Sequence, residues 1–242
     1  CAEALTSRSS RSRLHTPPGL LRLRGGADDA IKDEIVGRLN QCPAFCLLSR
    51  EKKLVGIDNG EGGHDVAWFI DAAEAQEVLQ AATAASPDEG YHLGCTPLGD
   101  ALLMCNGWPG TEVEYPEYTQ EVSYRLRGPR EPADEHAPVL EEQLQSQGLA
   151  SGGWVVPLFC VDEFQTDQMM PFFFTKADLA DGWTRTGRPD DELPETPVTM
   201  ELRLLIAAMR SDASLRAKAR VVPSVEAYEL SQRIAAAREE SE

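Results

Sequence analysis

Acid–base chemistry would have to start from four histidines, and these stand apart at His15, His64, His92 and His136. A general base must reach the proton it removes, within hydrogen-bond distance or through one water. The nearest pairing is His92 with Cys95, but three residues apart on a strand they belong to opposite faces. No His-x-x-Glu-His, Gly-x-Ser-x-Gly or Cys-x-x-Cys pattern occurs. Gly60-Glu61-Gly62-Gly63-His64 has the glycines of a phosphate cradle, yet it carries an acid and lacks the Lys-Ser/Thr that should follow, so it reads as a plain loop. Asp162, Glu163 and Asp167 gather near one hairpin and are the oxygen ligands a hard cation prefers. Without a recognisable loop pattern they read as solvated hairpin acids. Cys42-x-x-x-Cys46 lacks the spacing of a structural zinc site and has no second close pair. Cys46 and Cys160 fall inside apolar runs, where a thiol behaves as a small buried hydrophobe. The spacings of Cys42, Cys46, Cys95, Cys105 and Cys160 assign no disulfide. No catalytic residue, metal or cofactor is expected, and the chain does not read as an enzyme.

The elements that would position side chains are spelled twice. Val155 to Val161, then Phe172-Phe173-Phe174-Thr175-Lys176-Ala177-Asp178-Leu179, reads as strand, strand and capped helix. Pro43-Ala44-Phe45-Cys46-Leu47-Leu48 and Trp68-Phe69-Ile70-Asp71-Ala72-Ala73-Glu74-Ala75 repeat the order earlier, with 26 residues from Pro43 to Phe69 against 16 from Pro157 to Phe173. Asp71 with Glu74 forms a capping-box-like start, and Thr96-Pro97 places a cap and an N1 proline before Leu98. Each half continues with a short strand and a second helix striped by leucines. The connection between the first two strands is too short for a parallel crossover. The expected fold is therefore α+β, in two pseudo-symmetric halves that each carry a small sheet with flanking helices. The expected boundaries are 1–27 as a leader or disordered tail, 28–127 as the first half, 128–152 as a linker and 153–238 as the second half.

Phe172-Phe173-Phe174 beside Met169-Met170 is the most apolar stretch. Alternation sends Phe173 to one face, taken as core, and Phe172 with Phe174 to the other. If no helix covers that second face it is an apolar surface for segments of other proteins, with the flexible Met side chains adapting to them.

The formal net charge is −17, unevenly spread. Residues 1–27 hold five of the 23 basic residues and one of the 40 acids, so 28–242 carry 18 basic against 39 acidic side chains. Such a body repels nucleic-acid backbones and anionic membranes. No run approaches the ~18 apolar residues of a membrane-spanning helix. The Ser- and Arg-rich head, with Leu20-Leu21-Arg22-Leu23-Arg24-Gly25-Gly26 at its close, has the composition of a plastid or mitochondrial transit segment; a basic tail with no address is the alternative. It resembles the end of plastid leaders in algae of the red-plastid lineage. Because the chain begins on Cys1, an upstream signal sequence is expected to be missing.

The run from Phe159-Cys160-Val161-Asp162-Glu163-Phe164-Gln165 through Met170-Pro171-Phe172-Phe173-Phe174-Thr175-Lys176-Ala177-Asp178-Leu179 to Val221-Val222-Pro223-Ser224 is similar to the Tic22 family, soluble proteins of chloroplast envelopes with cyanobacterial relatives in the periplasm. The second half matches well, with Thr175 for Ser and Ala177 for Glu. The first is degenerate and keeps no Lys after Ile70. The resemblance implies a pseudo-twofold α+β protein with an apolar groove on each side, acting as a non-enzymatic, chaperone-like factor in plastid protein import. It carries over Phe159, Phe172, Phe173 and Phe174, with Phe45 and Phe69 in the first half. The partner-binding set is then Phe172, Phe174, Met169, Met170, Phe159, Phe45 and Phe69. Expected partners are unfolded preproteins or other plastid proteins, with no nucleic acid and no membrane span. A peripheral subunit of a plastid membrane complex, such as a photosystem, is the alternative role for the same fold.

Overall fold

The structure, a computed structural model, describes residues 27–58, 63–109, 122–150 and 152–239. The basic head before Ala27, with His15, and most of the Gly60 loop lie outside them. In chain order the elements are α1 (Ala27–Leu39), β1 (Pro43–Leu48), β2 (Ile57–Asp58), β3 (His64–Phe69), α2 (Ala72–Ala85), β4 (His92–Pro97), α3 (Leu98–Met104), β5 (Val122–Arg127), α4 (Arg130–Ser146), β6 (Pro157–Cys160), β7 (Met170–Phe173), α5 (Lys176–Arg185), β8 (Val198–Glu201), α6 (Leu202–Ser211), α7 (Ala213–Lys218), β9 (Ala219–Val222) and α8 (Val225–Glu239).

Two sheets carry one connectivity. In the first, β4 pairs β1, β1 pairs β3 and β3 pairs β5; in the second, β8 pairs β6, β6 pairs β7 and β7 pairs β9. In both, the last pairing is parallel and the others are antiparallel. The register repeats as well: Phe45 lies opposite Phe69 as Phe159 lies opposite Phe173. The extra residues of the first half supply β2, which pairs with β3 at Ile57 and Asp58. Local chemistry sets the helix starts. The Asp71 carboxylate accepts from the backbone N–H groups of Ala73 (2.7 Å) and Glu74 (3.1 Å), and the Thr175 hydroxyl accepts from that of Asp178 (2.9 Å).

The turn into the next helix is also built twice, with different parts. Leu98 N–H donates to the Cys42 carbonyl at 2.8 Å, and Leu202 N–H to the Val156 carbonyl at 3.0 Å. Thr96 does not cap α3, because it is spent as a strand residue opposite Ala44. Instead Asn40, just beyond α1, accepts from Asp100 N–H at 3.2 Å and donates to its carboxylate at 3.3 Å. In the second half a buried ion pair does the work. Glu201 Oε1 meets Arg203 Nε and Nη2 at 3.0 Å and accepts from Val156 N–H at 3.3 Å. Arg203 in turn donates to the carbonyls of Ala150 and Trp154 at 2.9 and 2.6 Å, with its guanidinium 4.0 Å from the Trp154 ring centroid. Every strong donor and acceptor of this pair is used, which is the condition for tolerating it in the interior.

The inner faces of both sheets share one apolar core. Cys46, Trp68 and Ile70 from the first meet Leu158, Phe172 and Phe174 from the second, with α1, α3 and α6 packed among them. The outer faces are covered separately. Phe45, Phe69 and Leu93 lie under α2 and α8; Phe173 lies under Phe164, Leu179 and Trp183. Two helices cross over to do this. The last helix, α8, packs on β4, β1 and α2 of the first half, while α4 packs on β6 and β8 of the second. Most of the 128–152 stretch, expected as a linker, is thus helix, beginning at Arg130, with Leu140 and Leu144 packed against Val155. Pro129 and Pro132 fall at its start, where a missing N–H removes no helical bond.

Close approach of α1 and α3 depends on Gly99. A Cβ there would stand 2.5 Å from Asn40 Oδ1 and 2.6 Å from the Val36 carbonyl oxygen, whereas one on Gly37 meets nothing within 4 Å. Gly99→Ala should lower unfolding stability by about 1–3 kcal/mol through overpacking, and Gly37→Ala should raise it by about 0.5–1 kcal/mol through helix propensity. Urea denaturation of both variants checks the contrast; equal effects would contradict the packing described for Gly99.

Candidate client-binding surfaces

The seven side chains expected to contact partners do not lie on one surface. Phe172 and Phe174 are 1% and 2% exposed. They share a face, as alternation required, but that face looks into the central core, where helices from both halves close over it. Phe45 and Phe69 are enclosed beneath α2 and α8. Phe159 is enclosed beneath His136 of α4, ring centroids 5.5 Å apart, and Lys176 of α5, whose ammonium stands 5.8 Å from the ring centroid. Met169, 41% exposed, and half-buried Met170 are the ones that reach the surface. They follow a turn fixed by Thr166, whose hydroxyl accepts from the N–H groups of Gln168 and Met169.

The groove the structure offers lies elsewhere, between the open edge of β4 and the outward side of α8. It encloses about 1170 Å³ and is lined by Leu48, Leu79, Leu93, Leu230 and Ile234, with Tyr228 at 57% exposure on its wall. Its floor rests on the aromatic pair predicted from sequence, since Leu93 and Leu230 belong to the same cluster as Phe45 and Phe69. Among the described residues β4 has β1 as its one strand neighbour. At Gly94 a Cβ would strike Leu48 Cδ1 at 2.7 Å and Cys46 Sγ at 3.1 Å, so its absence lets β4 lie close against the side chains of β1. Pro97 closes the strand without a backbone N–H. Lys52, Arg233 and Arg238 line the rim against Glu239, a basic border on an acidic protein. Sequence reading could not find this groove, because residues 92–97 and 228–238 meet only through the crossing of α8.

Nucleophile chemistry finds no support in the thiols. Burial pushes Cys42 up to about 12 and Cys46 and Cys160 to about 11; it raises Cys105 and Cys95 as well. Cys42 donates its S–H to the Val221 carbonyl at 3.2 Å. His92 and Cys95 both line the groove, with no hydrogen bond between them. Asp162 and Glu163 sit exposed in a 3₁₀ turn, and among the described residues no three acids, histidines or cysteines are placed to share a metal ion. Cys95 is the exposed thiol among the five described. Iodoacetamide followed by peptide mapping should modify Cys95 at least about tenfold faster than Cys42, Cys46, Cys105 or Cys160, since reaction needs both access and thiolate. Equal rates would contradict the enclosure of those four.

No protein-family model matches the chain, and no curated protein matches it in sequence. Solved structures do share its architecture. Tic22 from Plasmodium falciparum superposes with a TM-score of 0.59 at 14% identity, covering 84% of this chain and 98% of that one. Anabaena Tic22, described as a protein of protein transport, gives 0.54 at 14% identity, covering 84% and 96%. The chain has the Tic22 fold.

Proposed function

We propose that this protein is a non-enzymatic, chaperone-like factor in protein import into plastids, which holds apolar segments of unfolded preproteins on its surface. The observation that carries the reading is the groove between β4 and α8: an unpaired strand edge beside an apolar floor, on a fold shared with proteins named for transport. An extended segment can add backbone hydrogen bonds along such an edge while its alternate side chains enter the floor. Leu93, Leu230 and Ile234 make the contact, with Phe45 and Phe69 as the rigid layer beneath. In the second half Phe159 lies beneath α4 and α5, Phe172 and Phe174 fill the core between the sheets, and Met169 and Met170 form a smaller adaptable contact. The basic rim favours clients that carry acids beside their apolar stretch. The Arg- and Ser-rich head supports a plastid address. No helix of the described residues is long and apolar enough to cross a membrane.

In a light-scattering assay, the purified protein at micromolar concentration should suppress aggregation of a heat-unfolded model client. Tyr228→Asp, at an exposed position, should weaken client binding about tenfold, corresponding to ~1.4 kcal/mol, without lowering the melting temperature of the protein itself. A photo-crosslinker on Cys95 should capture the client. Absence of any suppression, or co-purification from plastids at fixed stoichiometry with one large membrane complex, would overturn this reading, the second in favour of an accessory-subunit role.

A further inference from the structure

A second recess of about 390 Å³ lies between β5, the first turns of α4 and residues 153–155. Three arginines face it, Arg125, Arg127 and Arg130, and they differ in what they hold. Arg125 is engaged, its Nε 3.0 Å from the buried Asp65 carboxylate and its Nη1 3.4 Å from the Gly153 carbonyl. Arg130 donates to Glu74 Oε1 at 3.3 Å. Arg127 stands between the two acids, 4.0 Å from Asp65 and 3.9 Å from Glu74, and among the described residues its guanidinium makes no hydrogen bond. It is held from below by the Phe69 ring, 5.7 Å away. Beside it Glu74, only 7% exposed, has one carboxylate oxygen, Oε2, buried with no hydrogen-bond partner. Burial pushes its carboxyl up in spite of both arginines. A buried acceptor without a donor is costly in free energy and usually signals a missing group.

The second half shows what this position looks like when it is purely structural. Val222 stands opposite Phe173 as Arg127 stands opposite Phe69, so Val222 and Val225 occupy the places of Arg127 and Arg130. The counterpart of Glu74 is Asp178, whose carboxylate turns back to accept from the Thr175 hydroxyl at 2.7 Å. There the capping box closes on itself. In the first half Asp71 has no hydroxyl to offer, and the Glu74 carboxylate is directed to the arginines instead.

We infer that this recess binds a small α-amino carboxylate, its carboxylate on the Arg127 and Arg130 guanidinium groups and its neighbouring N–H or ammonium on Glu74 Oε2. The Arg127 fork and the Glu74 carboxylate are adjacent, Nη1 standing 3.9 Å from Oε1, so the ligand must carry its acceptor and donor on neighbouring atoms. An arginine fork prefers the planar geometry of a carboxylate, and the start of α4, whose N-cap Pro129 offers no side-chain acceptor, adds a positive helix end at the same place. A free amino acid and the last residue of a peptide share this chemistry.

The test is calorimetry and thermal shift on the whole chain with L-alanine, N-acetyl-L-alanine, propionate and alaninamide. L-alanine, N-acetyl-L-alanine or both should bind saturably with a dissociation constant of about 1 mM or tighter; which of them is tighter tells the free amino acid from the peptide end. Propionate and alaninamide, each lacking one half of the pattern, should bind at least about tenfold more weakly, and Arg127→Gln and Glu74→Gln should each reduce affinity by about tenfold or more. Arginine Nε–Hε resonances of the unaltered protein give a readout that does not depend on variants folding, and those of Arg127 and Arg130 should shift on adding the ligand. The proposal fails if neither alanine probe saturates, if propionate or alaninamide binds as well as they do, or if the arginine resonances stay in place.

Discussion

The apolar layer between the two sheets is the constraint from which the remaining packing follows. Trp68 and Ile70 of one sheet and Phe172 and Phe174 of the other are removed from water by the same set of helices, α1, α3 and α6. Neither sheet could bury that face alone, and a half-exposed layer of this kind would lose ~25 cal/mol for each Å² left wet. Once the inner faces are committed to each other, each outer face needs a cover of its own. The chain meets that need by sending α4 and α8 across to the opposite halves. The fold is consequently one body in which each half is finished by residues from the other.

Pseudo-symmetry makes the differences between the halves informative. At the start of the helix after the third strand, Pro97 and Gly99 sit where Glu201 and Arg203 sit in the second half. The first solution draws α1 against the helix so closely that only a hydrogen fits, and uses Asn40 as the clamp. The second buries an ion pair that also gathers Ala150 and Trp154, fixing the passage from α4 into β6. Breaking one member of such a pair leaves a buried charge, a far larger loss than the pair contributes when whole. The arginine recess and the β4 groove both lie where the first half departs from the second.

The α+β class, the doubled strand–strand–helix order and the caps at Asp71 and Thr175 were legible because each is local: turn chemistry, period and a polar residue before a helix. Even the opposed phenylalanines of both sheets could be anticipated from the repeated runs. The faces were a different matter. Alternation separates Phe172 and Phe174 from Phe173, but which side meets water depends on helices from distant sequence. The seven partner-contact residues follow from the apolar runs and from the family resemblance, and the five phenylalanines among them are enclosed in the interior. The actual groove uses Leu93, Tyr228 and Ile234, ordinary in their own neighbourhoods and significant only once α8 lies beside β4. Residues 128–152 follow the same rule: Pro129 and Pro132, within the stretch expected as a linker, stand at the start of α4.

The crossing of α8 has a consequence in time. The elements just before it, α7 and β9, also reach back to the start of the chain: Cys42 with Val221 and Glu34 with Arg216 join residues 179 and 182 positions apart. Topologies of this kind fold slowly, since the chain must close long loops before those contacts repay it. Until the fifteen residues of α8 are available, the aromatic underside of the first sheet has α2 alone as its cover. The protein passes through its own maturation as an unfinished chain with an exposed apolar face, vulnerable to the aggregation that besets such intermediates.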